Sequence, residues 1–82
     1  MAPYGAERQE SGEAKAERLV REELAKLGWT EAELAQRRKG DPGKVRIARR
    51  LRRETTMTLA WIANRLQMGV WTHVSNLLRS AK

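Results

Sequence analysis

Apolar residues recur at three- and four-residue steps from Ala16 onward, through Leu19, Val20, Leu24 and Leu27. That spacing lays one stripe along a helix, predicted to start near Ser11 and end at Leu27. Arg18, Arg21, Glu22 and Glu23 fall on its wet flanks, and Gly28 stands where a left-handed cap is wanted. Thr30-Glu31-Ala32-Glu33 fits a capping box, with Trp29 and Leu34 placed as a hydrophobic staple. A short second helix is therefore predicted from Glu31 to about Arg38, stopped by Gly40. Asp41-Pro42 then opens a third helix, aspartate as cap and proline in the first turn, reaching about Glu54. Ile47, Ala48 and Leu51 lie on its inner side.

The last stretch, TLAWIANRLQMGVWTHVSNLLRS, holds two amphipathic segments around a break. Thr58 caps a helix whose inner face is Leu59, Ile62, Ala63 and Leu66. Gln67-Met68-Gly69 interrupts it, and a helix from about Val70 points Val70, Val74, Leu77 and Leu78 inward. Ala63 is small enough for two helices to cross closely, Met68 can plug the corner, and Gly69 lets the backbone turn. This is a helix-turn-helix pattern. The turn is one residue longer than in the commonest repressors, and Gln67 stands where those often carry glycine. The fold expected is all-α, a small bundle of four to five short helices. Residues 1–10 read as a disordered tail and 11–82 as a single domain, with the helix-turn-helix at 58–80.

Charge turns this fold into a functional expectation. The chain of 82 residues has a net charge of +7. Residues 1–35 carry five Lys/Arg against eight Asp/Glu, whereas 36–82 carry twelve against two. A basic half rich in arginine suits a polyanion, since Arg binds phosphate bidentately. Arg46, Arg49, Arg50 and Arg53 share the outer face of the third helix with no acid interleaved, which favours phosphate contact over a solvated surface. Lys44 and Arg65 extend the phosphate-contacting set. On the last helix Thr72, Ser75, Asn76 and Arg79 project together, with no Glu or Lys among them. Asn pairs with adenine and Arg with guanine in the major groove, so these four are the expected base readers. Trp61 is placed to pack under the N-terminal helices, or else against a DNA backbone or a partner. Trp71 suits the core rim or a sugar-phosphate contact equally. His73 reads as a packed residue and not a ligand.

Other chemistries find little support. There is no cysteine and one histidine, so neither disulfides nor a multi-histidine metal cluster is expected, and no cofactor. No nucleophile-base pair or paired carboxylates stand in the basic half, so no catalytic residue is assigned. The apolar runs are too short for a membrane span, and MAPYGAERQE lacks the form of a secretory signal, so the expected location is cytoplasmic. The partner expected is nucleic acid, above all double-stranded DNA. Neither a membrane nor a small molecule is expected, and a homodimer is compatible. DNA hairpins, structured RNA, or an acidic protein partner met by an antitoxin-like module are the competing readings.

Leu27-Gly28-Trp29, Arg37-Arg38-Lys39-Gly40-Asp41, Arg53-Glu54-Thr55-Thr56-Met57-Thr58-Leu59, and Trp61-Ile62-Ala63 through Met68-Gly69 also stand in a telling order. This combination, about two thirds of the chain, resembles the C-terminal region of some bacterial REP-associated tyrosine transposases and related stand-alone proteins. Those enzymes cut single-stranded DNA at hairpin-forming repeats, using a His-hydrophobic-His metal motif and a tyrosine nucleophile. With one histidine and one tyrosine, Tyr4, this chain has no counterpart of that centre. The resemblance implies only an appended helical accessory that binds or targets element DNA.

Overall fold

A computed structural model describes residues 12–80, and the tail expected over 1–10, like the helix start at Ser11, lies outside them. Within that range the chain is all helical: α1 (Gly12–Leu27), α2 (Glu31–Gln36), α3 (Pro42–Glu54), α4 (Leu59–Arg65) and α5 (Trp71–Ser80). None of the described helices is long and apolar enough to cross a membrane.

The stripe of α1 is buried as its spacing demands, through Ala16, Leu19, Val20 and Leu24. Gly28 takes a φ of +73°. Its amide donates to the Ala25 carbonyl at 3.2 Å, and the Trp29 amide to that of Leu24 at 2.9 Å. This pair of bonds is a Schellman stop, which a residue with a side chain would strain.

α2 corrects two expectations. Thr30 has the extended backbone of a cap (φ −97°, ψ 173°), but its side chain accepts no capping bond. Glu33 does not reach back either; its carboxylate takes the Arg37 guanidinium at 2.9 Å. A charged donor one turn ahead outcompetes the backbone amide behind. The helix also ends at Gln36, short of Arg38, because Arg37 turns extended. Trp29 packs on the core, with Arg37 stacked 4.1 Å from its ring centroid.

α3 begins and ends where Asp41-Pro42 and Glu54 place it, the Asp41 carboxylate accepting from the Gly43 amide at 2.8 Å. It is the central helix, packed against α1, α4 and α5. Ile47, Ala48 and Leu51 are completely buried, together with Lys44. Thr58 caps α4 through its hydroxyl, which accepts from the Trp61 amide at 3.0 Å.

After α4 the chain turns through residues 66–70, and α4 and α5 pack closely on one another. Met68 is completely buried, its amide donating to the Ala63 carbonyl at 2.8 Å; Ala63 is buried as well. Gly69 takes φ +88° and Gln67, a residue with a side chain, φ +55°. The expected inward Val70 needs correction. It precedes α5 as its first acceptor, receiving the His73 amide, and its side chain overhangs the helix end, 65% exposed. Val74 is buried, with Leu77 and Leu78 packed around it.

Candidate nucleic-acid interface

The outward face of α5 carries Thr72, Asn76 and Arg79, all exposed, with Ser75 half-buried at its edge. Val74, Leu77 and Leu78 hold the opposite side on the core, so the presented face is fixed by packing. His73 flanks it and sits against the α2–α3 loop: a Cβ on Gly40 would lie 3.9 Å from its Nε2. That nitrogen is buried and without a hydrogen-bond partner among the described residues. Trp71 is 53% exposed at the start of the helix. Trp61 packs partly buried on the core and borders a hollow shared with Glu13 and Glu17 of α1.

Beside the turn lies a basic loop that periodicity does not reveal. Arg37, Arg38 and Lys39 line an open hollow of about 620 Å³ together with Asn64, Gln67 and Gly69. Arg37 is held by Glu33 and, at 3.6 Å, by Asp41. Arg38 and Lys39 are exposed and pair with no acid among the described residues. The Lys39 side chain runs over the glycine of the turn, its Cδ 3.1 Å from where a Gly69 Cβ would be. Three consecutive cations after a helix stop were the available signal; no spacing rule singles them out.

Lys44 is not a phosphate ligand. It is fully buried, and its ammonium donates to the carbonyls of Leu34 (2.7 Å), Arg37 (3.0 Å) and Gln67 (3.0 Å). All three donors are spent inside the protein. Burial pushes its pKa below the ordinary lysine value, with Asp41 pulling the other way. These bonds serve carbonyls left free at the end of α2 and the strained carbonyl of Gln67. The lysine therefore ties the end of α2 to the turn between α4 and α5.

Arg65 is likewise withdrawn from the expected phosphate set. Its Nε donates to Glu17 at 2.6 Å, with a second bond to that carboxylate at 3.1 Å. Two more, of 2.9 and 2.7 Å, go to Glu31. The hydrogen bonds that Arg65 donates to Glu31 and Glu17 raise its pKa further above its already high value. In return, the Arg65 bond holds the Glu31 carboxyl below its ordinary value, burial opposing.

The α3 arginines divide. Arg50 donates to Glu23 at 2.8 Å and Glu54 at 3.2 Å, with Glu22 at 3.2 Å, and its side chain is 20% exposed. Burial disfavours its charge, but the bonds it donates to Glu23, Glu54 and Glu22 outweigh that and raise its pKa. Arg46 and Arg53 touch acids only at their margins, 3.6 Å from Glu23 and 3.5 Å from Glu54, with side chains 64% and 66% exposed. With half-buried Arg49 and with Lys26 they rim an open cleft of about 440 Å³ over Glu23 and Glu54. The face read as lacking acids is therefore balanced by Glu22 and Glu23 of α1 and by Glu54 at its own end, and it keeps Arg46 and Arg53 turned outward.

Among the described residues no group of His, Cys, Asp and Glu could hold a metal ion. No protein-family model matches the chain, and neither a curated protein nor a solved structure matches it. The resemblance to transposase C-terminal regions thus rests on the quoted residues alone.

Proposed function

We propose that the chain is a non-catalytic DNA-binding module that lays α5 in the major groove of duplex DNA. One observation carries this reading. The polar face of α5 is presented by a helix anchored through Val74, Leu77 and Leu78, and Arg38 and Lys39, which pair with no acid among the described residues, stand beside its leading end. Helices of this kind read base edges with their first turns while flanking cations grip phosphate. Thr72 and Asn76, in the first two turns of one face, are the base readers, Ser75 supports them, and Arg79 reaches guanine or phosphate a turn further on. Arg46, Arg49 and Arg53 supply a second phosphate surface; Arg50 serves the fold. The transposase resemblance suggests the setting, an accessory that brings a mobile element's machinery to its DNA.

Selection from a random duplex library, followed by binding titrations, tests the reading. Asn76→Ala should weaken the selected site by about 1–3 kcal/mol and leave random duplex nearly unchanged, because base contacts specify and phosphate contacts only position. Equal losses on both DNAs would reject α5 as the reader. Preference for hairpin or single-stranded probes over duplex of matched length would reject the duplex assignment.

A further inference from the structure

Val70 and Trp71 are the large apolar side chains that the described surface leaves exposed, at 65% and 53%. They adjoin in sequence at the leading end of α5, where a groove-reading helix meets base edges first. Nothing in the fold explains their exposure. Val74, Leu77 and Leu78 already anchor the helix, and α5 starts after Val70, so this pair adds nothing to the core. Adjacent exposed apolar side chains on a small domain mark a surface that meets a partner.

The rim decides which partner. The Lys39 side chain lies over Gly69, the residue before Val70, with its Nζ 3.7 Å from where a Cβ would stand. Arg38 precedes it, and exposed Thr72 follows Trp71. A second copy of the chain would bring the same cations against these. A polyanion that also offers apolar groups fits both halves of the surface. In the major groove the apolar group is the thymine 5-methyl, set between phosphate rows that Arg38 and Lys39 can meet. We infer that Val70 and Trp71 are specificity-determining residues that pack on the 5-methyl group of one or two thymines, next to the bases read by Thr72 and Asn76. The inference rests on α5 reading duplex DNA and adds to it what the leading end reads.

Replacement of thymine by deoxyuridine removes the methyl and leaves every hydrogen-bonding group in place. In the selected duplex site, each thymine is replaced singly and the full chain titrated at fixed salt. Replacement at one or two adjacent positions should weaken wild-type binding about fourfold, the worth of one buried methyl group. In Trp71→Ala or Val70→Ala that sensitivity should vanish, with circular dichroism showing the same helical content. Uniform tolerance of deoxyuridine by the wild type would overturn the inference while leaving the reading by Asn76 intact. So would undiminished sensitivity in both variants. Failure of selection to yield any preferred sequence would overturn both. Binding to anionic phospholipid vesicles that Trp71→Ala abolishes would reassign the pair to a lipid surface and overturn the inference as well.

Discussion

Every proton of the Lys44 ammonium is committed inside the protein, to carbonyls contributed by Leu34, Arg37 and Gln67. A buried charge survives only when satisfied in this way. Lys44→Met keeps the volume but leaves three carbonyls without a donor, and should lower unfolding stability by about 3 kcal/mol. Denaturant titration measures this. A phosphate-contacting lysine would give the opposite pair of results, unchanged stability and a salt slope flatter by about 0.9. The burial of Lys44 was legible in the spacing, since it stands one turn before Ala48 and two before Leu51 on the inner arc of α3. Counting it by charge concealed that. Ala63 is the converse case, where size alone gave the right environment: it is 2% exposed. Ala63→Leu should overpack that site by about 1–3 kcal/mol, seen as a lowered thermal midpoint.

Elements were legible where their signals are local. Asp41-Pro42, Gly28 and Thr58 each fix a helix end through atoms within a few residues, and the structure uses them as spaced. The Thr30 box failed for a reason equally local, the Arg37 guanidinium that claims Glu33. What spacing could not reveal was the pairing of one element with another. The outer face of α3 has one acid of its own, Glu54 at its end, yet Arg50 also meets Glu23, 27 residues earlier in the chain. α1 packs on α3 with Glu22 and Glu23 turned to that face, so the arginines there have unequal roles. Arg50→Gln leaves Glu23, whose side chain is 4% exposed, short of its closest cation, and should cost about 2 kcal/mol. Arg53→Gln should change stability by less than about 0.5 kcal/mol and flatten the log-affinity versus log-salt slope on duplex DNA by about 0.9. Paired melts and salt titrations of the two variants separate fold from footprint; loss of slope without loss of stability in Arg50→Gln would reverse the assignment.

Across the whole molecule the acidic and basic halves are tied together by carboxylates that meet guanidinium groups far along the chain. Glu17 and Arg65, 48 residues apart, form the longest such tie among the described residues, and Glu31 closes on the same guanidinium. The opposite charges of the two halves were plain in the sequence. Which cations they consume was not, because a partner that distant is chosen by packing. Arg38, Lys39, Arg46, Arg53 and Arg79 keep exposed side chains after these pairings, so the proposed DNA footprint is smaller than the total charge suggests. The same ties give the fold an acid limit. The Arg65 bond lowers the Glu31 pKa from its ordinary 4.5, so between the two values the unfolded chain holds a proton that the folded chain does not. The stability this contributes is complete above pH 4.5 and is lost as pH falls through the depressed folded value. Glu54 adds to the same limb: burial opposes, but the bond from Arg50 holds its carboxyl below the ordinary range. Thermal midpoints should therefore be flat near neutrality and fall below about pH 4.5. Arg65→Met should melt lower at pH 7 but decline less steeply, so that its curve converges with the wild type in acid. Curves that stay parallel to pH 3 would show that the Arg65–Glu31 pairing is not the source of the acid limit.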